Sequence, residues 1–183
     1  MRGPVRYCGL PAIAAGMGAI LAVTPPDVIV NRDGDLVAVN LGAGRVAMSP
    51  GAGNSFERDM WQRRFAVDAV SPWPTTGVDA AAGMGCDRTG CIATIADNTV
   101  ALVFEPAAAI EDCARADHVI LLTRVPRRLC PDAKVVFSTF HIWRDGAHAV
   151  RFTGAGPSVE TSRETRGDRP WSRLSEKRRQ YLD

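Results

Sequence analysis

Histidine is scarce in this chain: its 183 residues hold three, at positions 118, 141 and 148, and no two of them stand two or four apart. A metal centre built on closely spaced histidines is therefore excluded. Net charge is also small, at +2, so the overall balance does not argue for a polyanionic partner, although arginines cluster locally. No two cysteines have two residues between them, which excludes the usual redox dithiol and an ordinary zinc finger. There is no internal repeat and no low-complexity tract beyond Ala107-Ala108-Ala109. The longest apolar run, Cys8 to Val23, is sixteen residues, short of the about 20 that a full membrane span needs.

What the chain does have is a hydrophobic share of 46%, enough for one domain with a sizeable core, and a distinctive cysteine turn. Gly85-Cys86-Asp87-Arg88-Thr89-Gly90-Cys91-Ile92 places two cysteines around a turn with Asp and Gly, residues that tolerate tight-turn backbone angles. Alternation in Cys91-Ile92-Ala93-Thr94-Ile95 predicts the strand that leaves it. Cys113 and Cys130 follow, and Cys8 stands apart in the apolar run. Of the three pairings open to four cysteines, local geometry favours Cys86 with Cys91 and Cys113 with Cys130, contributing about 2 and about 3 kcal/mol by loop entropy. A zinc site on Cys86, Cys91, Cys113 and Cys130, with His118, His141 and His148 in reserve, has the wrong spacing, since only one pair is close. Four free cysteines are the remaining reading and imply a reducing compartment.

The chain in order begins with two arginines, Arg2 and Arg6, before the uncharged run. This predicts a membrane-directed segment over 1–24, retained because Pro25 directly follows Ala22-Val23-Thr24, the nearest small-residue cleavage site, with everything after it outside the cytoplasm. Asp27-Val28-Ile29-Val30, Leu36-Val37-Ala38-Val39 and Arg45-Val46-Ala47-Met48 read as a three-stranded meander. Asn54 and Glu57 predict a capped helix with Phe56, Met60 and Trp61 on its sheet face and Arg58, Gln62 and Arg63 in water. Residues 66–83 read as a loop. Val100 to Phe104, a helix from Pro106 to about Ala114, and Val119 to Leu122 read as a strand-helix-strand unit with parallel strands. Val135 to Ile142 is expected as a strand that turns at Asp145-Gly146 into Ala147 to Phe152, which brings His141 and His148 near each other. From Thr153 the composition predicts a disordered polar tail, 153–183, after a β-rich domain over 25–152.

This order of features resembles the C-terminal region of the competence protein ComEC, the DNA-uptake channel, in its alpha-proteobacterial form. The resemblance rests on an anchor followed by Asp27-Val28-Ile29-Val30 and Gly34 to Val39, then on Phe56 to Trp61, Cys86 to Cys91, Asp112-Cys113-Ala114-Arg115-Ala116-Asp117, and Pro126-Arg127-Arg128 with Cys130. It closes on Phe140-His141-Ile142-Trp143-Arg144-Asp145-Gly146-Ala147-His148-Ala149 and Arg169-Pro170-Trp171. It implies that Leu10 to Val23 is the remainder of a last transmembrane helix in the inner membrane, and that the rest is a periplasmic domain of a truncated chain. The fold it implies is a layered α+β or α/β domain like a truncated metallo-β-lactamase. In catalytic members the strand after an Ala-Asp pair leads to a His-His-Gly-Ser ligand, whereas Ala116-Asp117 leads here to Thr123-Arg124-Val125-Pro126. The resemblance thus implies a relative without metal or other cofactor and without catalysis.

On that reading Arg63, Arg64, Arg124, Arg127 and Arg128 are the candidates for contact with single-stranded DNA, with Trp61 or Trp143 stacking a base. The partners expected are the membrane, the channel domain and DNA. A rival reading is a divergent nuclease using Asp33, Asp35, His141 or His148 with a metal. A third is a structural cap of the channel, or a fragment with no function of its own.

Overall fold

The computed structural model describes residues 9–21, 24–50, 55–71, 73–74, 77–79, 83–131 and 134–167. The meander forms as expected. β1 (Val28–Val30), β2 (Val37–Asn40) and β3 (Val46–Met48) pair antiparallel. Asn31 closes the first turn. Its Oδ1 accepts from the backbone N–H of Asp35 and Leu36, and its Nδ2 donates to the Asp35 carboxylate at 2.7 Å. Nearly every residue of these strands is buried, because both faces of the sheet are covered.

The covering can be read residue by residue. Val28, Val30, Val37, Val39 and Ala47 point into a central core, while Ile29, Ala38, Val46 and Met48 point the other way, under Phe65 and Trp61. After α2 (Ser55–Arg64) comes the second sheet, built from β4 (Gly77–Asp79), β5 (Met84–Cys86), β6 (Gly90–Ile95), β7 (Asn98–Val103), β8 (His118–Leu121) and β9 (Val135–Ser138) in that order. β4 to β7 are antiparallel, and β7, β8 and β9 are parallel, with α3 (Ala109–Arg115) crossing over between β7 and β8. Val100, Leu102, Ile120 and Phe137 enter the central core, and Ala101, Val103, Val119 and Leu121 pack outward under Ala109 and Cys113 of α3. The result is four layers, helix, sheet, sheet, helix, in a mixed α+β domain.

Four expectations change. The strand expected over 135–142 stops at Ser138, and α4 (Thr139–Asp145) follows. Asp145-Gly146 ends this helix rather than turning a hairpin: the Gly146 N–H bonds the carbonyl of Ile142, and Gly146 sits at φ +85, where glycine is favoured. His141 and His148 are therefore not cross-strand neighbours. The tail expected as disordered is part of the fold up to residue 167. β10 (His148–Thr153) pairs along its whole length with β11 (Gly156–Thr161), and α5 (Ser162–Arg166) follows. Thr161 and Glu164 cap α5 reciprocally, and β10 joins the first sheet through β1, giving the order β11-β10-β1-β2-β3. Within 66–83, β4 adds an edge strand to the second sheet, because Gly77 to Asp79 finds open backbone on β5. Asn54 lies outside the described residues, as do Arg169 to Trp171.

The fourth change concerns α2. Trp61 packs toward the sheet as expected, but Phe56 and Met60 are exposed, at 65% and 52%, and Arg58 donates to the Ser49 carbonyl. The bulk that covers the sheet comes from Phe65, Val67 and Val70, just past the helix. At the N-terminal end, α1 (Gly9–Leu21) is a helix of 13 residues, about 20 Å long. Among the described residues no helix is long and apolar enough to cross a membrane.

Candidate functional site

The cysteine turn is a strand clasp. Cys86 and Cys91 face each other directly in the β5–β6 pair, with Cα atoms 4.0 Å apart, and are disulfide-bonded. Asp87 organises the turn between them. Its Oδ1 accepts from the Thr89 hydroxyl at 2.8 Å and from the N–H groups of Thr89 and Gly90 at 2.6 and 2.8 Å. These bonds, the Thr89 hydroxyl's first, hold the Asp87 carboxyl below its ordinary pKa.

Beside the clasp lies an open groove of about 530 Å³, bounded by the hairpin and by α3. Gly90 lets the two approach: a Cβ there would stand 2.9 Å from both the Asp112 carboxylate and the Leu102 carbonyl. Asp112 is half-buried against the groove, and burial first, then the neighbouring charges of Asp87 and Glu111, push its carboxyl above its ordinary pKa, with Arg115 acting in the opposite direction. Arg115 is 2.8 Å from Glu111. A groove with three carboxylates and one paired arginine repels phosphate, so it is not where a nucleic acid strand would lie.

The arginine candidates are elsewhere, in two places. Arg124 and Arg128 are exposed on the segment that leaves β8, and Arg127 opens a single 3-10 turn there, Arg127–Leu129. That segment is fastened at its end by the Cys113–Cys130 disulfide, whose Cα atoms are 5.3 Å apart. Lys134 adds a second tie by donating to the carbonyls of Cys113, in the last turn of α3, and of Ala116, the residue that caps it, at 3.1 and 2.9 Å. Arg63 and Arg64 are exposed in the last turn of α2, on the opposite outer layer of the molecule. Both sheets lie between the two groups, so the structure does not gather the five arginines into one surface.

The two tryptophans are separate again. Trp61 is half-buried over Ile29, Ala38, Val46 and Met48, and Trp143 is half-buried on α4, its ring centroid 6.0 Å from that of Phe140. Three of the four residues of the nuclease reading have other work. Asp35 accepts from Asn31 in the first turn, and Asp33 is exposed in the same turn. His141 caps α4: its Nδ1 accepts from the Ser138 N–H at 3.1 Å, which places the ring proton on Nε2. His148 is 2% exposed, stacks on Phe137 at 4.5 Å, and donates from Nδ1 to the Gly146 carbonyl at 2.8 Å. Burial is the largest cause that lowers the pKa of both histidines. Among the described residues no three His, Cys, Asp or Glu side chains are grouped so as to hold a metal ion.

One constellation escaped the sequence reading. Arg144 forks onto Asp145 through bonds of 2.7 to 3.0 Å, and Arg163 of α5 approaches the same carboxylate at 3.8 Å. Together with the Ser162 hydroxyl, which donates to the Asp145 carbonyl, it locks α4 to α5. Its only sequence signals were the Ser138-x-x-His141 and Thr161-x-x-Glu164 spacings, which mark helix starts. Compared with family models, with curated proteins and with solved structures, the chain finds no match.

Proposed function

We propose that this chain forms a non-catalytic, extracytoplasmic domain of a ComEC-like DNA-uptake channel in the inner membrane, and that single-stranded DNA is met at the segment carrying Arg124, Arg127 and Arg128. The observation that supports this best is the placement of the two disulfides. They tie together stretches on which the family resemblance rests, Cys86 to Cys91 and Asp112 to Cys130, and disulfides persist outside the reducing cytoplasm. The layered sheets are compatible with a relative of the metallo-β-lactamase-like domain. A basic segment held at one end to α3 presents its charge without first having to be ordered, which favours contact with a phosphate backbone.

Of the seven candidates, this reading keeps the segment at 124–128 as the DNA surface, because Arg63, Arg64 and Trp61 belong to the far layer. The test is a salt titration of the full chain with labelled single-stranded DNA. Binding that weakens as salt rises, and that the triple change of Arg124, Arg127 and Arg128 to Ala reduces on the order of ten-fold or more, is the expected result. Binding that ignores the triple change, or no binding at low salt, removes the DNA role and leaves the structural reading of a channel cap.

A further inference from the structure

α2 presents to solvent a stripe that a helix serving only as a cover would turn inward. Phe56 and Met60 are 65% and 52% exposed, and Arg63 and Arg64 are exposed in the last turn. Spacings of three and four residues put these side chains on one face. That face is opposite the one on which Trp61 packs and Arg58 reaches Ser49. Two acidic residues flank the stripe: Glu57 accepts from Asn31 at 3.2 Å, and Asp59 is exposed, three residues from Phe56 and four from Arg63, leaving the arginines in excess by one once Glu57 is bonded. Large apolar side chains flanked by arginines are what a helix lying in the plane of an anionic bilayer surface presents.

Two further observations point to the same occupant. α1 is uncharged over its 13 residues and exposes Ile13 and Met17 at 62% and 66%, and among the described residues no helix is long and apolar enough to cross a membrane. One short apolar element holds a protein to lipid only marginally, and stable attachment takes a second signal, often basic. The direction of α2 supplies the continuity. It starts at the Asn31 end of the first sheet, where Glu57 is bonded, and the chain beyond it reaches the opposite end, where the Ser71 N–H bonds the Val46 carbonyl. Val46 pairs with Asn40, whose own N–H bonds Asp27, so this is the end at which the chain arrives from α1. Arg63 and Arg64 thus lie toward the end of the sheet at which Asp27 enters.

We infer that α2 is a membrane-surface contact, in which Phe56 and Met60 enter the lipid and Arg63 and Arg64 meet anionic headgroup phosphates, while α1 supplies an uncharged apolar hold. The inference goes beyond the DNA-uptake reading and does not depend on it.

Vesicle co-sedimentation of the full chain tests it, with phosphatidylcholine alone and with phosphatidylcholine plus phosphatidylglycerol, at low and high salt. The wild-type chain is expected to prefer the anionic vesicles, and the preference to shrink with salt. R63A/R64A is expected to weaken anionic-vesicle binding on the order of ten-fold or more and to leave binding to phosphatidylcholine unchanged. F56S/M60S is expected to weaken both, with unchanged thermal melting because both positions are exposed. Anionic-vesicle binding that neither variant alters overturns the inference. So does loss of single-stranded DNA binding in R63A/R64A with vesicle binding intact, which assigns the stripe to nucleic acid. Self-association of the wild-type chain that F56S/M60S abolishes, with vesicle binding intact, overturns it in favour of a second copy. The Arg124, Arg127 and Arg128 triple variant is expected to bind vesicles normally, so the two readings fail separately.

Discussion

His141 and His148 show how a titratable side chain can be spent on architecture. His141 must keep Nδ1 unprotonated to accept from the Ser138 N–H, and His148 is buried against Phe137. Burial lowers both pKa values in the folded state from the ordinary 6.5. In the pH range between the depressed folded values and 6.5 the unfolded chain therefore binds more protons than the folded one. Their contribution is present in full above 6.5 and declines as pH falls through and below it. Thermal melting followed from pH 7.5 to pH 5 is expected to show a falling midpoint. His141→Gln, which keeps a residue able to accept from the helix-start N–H, is expected to retain the fold and flatten part of that slope. A slope that His141→Gln leaves untouched would assign the effect to His148.

At the scale of elements, the two disulfides do different jobs. Cys86–Cys91 staples two adjacent strands that already share a turn, whereas Cys113–Cys130 joins a helix to a segment beyond the next strand. Loop entropy puts their contributions at about 2 and about 3 kcal/mol, so C113A/C130A is expected to lower urea-unfolding stability more than C86A/C91A. The reverse order in equilibrium urea melts would mean that the clasp holds more than its own turn. Nonreducing peptide mapping is expected to recover both pairs, and free thiols at all four positions would remove the extracytoplasmic placement. α2 belongs to this scale too. Its sequence puts Phe56, Met60 and Trp61 on one stripe, but the sheet is covered by Phe65, Val67 and Val70 from beyond the helix, and of the three only Trp61 packs on it.

For the whole molecule, the decisive fact is that the two sheets close on a core supplied by both ends of the described domain. Val28 and Val30 of β1 meet Val150 and Phe152 of β10 in the same cluster as Leu102 and Phe137. β11 then covers the edge of β10 with six paired residues, and it tolerates Pro157 because it is itself an edge. A chain ending at Phe152 is accordingly expected to be markedly less stable than the full chain and to be cut faster in limited proteolysis. A truncated chain as resistant as the full one would make β11 and α5 dispensable.

Local chemistry was sufficient to read the meander around Asn31, the parallel unit β7-α3-β8 and the cysteine pairing, because each depends on alternation or on a short loop. Short-range signals could not decide the rest. Asp145-Gly146 suits a hairpin turn and a helix end equally, and only the fit of Ile142 into the central core selected the helix. The polar composition after Thr153 looked unstructured because an edge strand needs few apolar residues when its partner is already in place, with Val159 packing against the core. The arginines were visible as residues but not as surfaces. By itself the sequence determined the local framework, the disulfide-bearing turns and the burial of each apolar strand. Only the tertiary structure decided that Arg63 and Arg64 face away from Arg124 and Arg128, because that separation is set by two stacked sheets whose packing no stretch of sequence records.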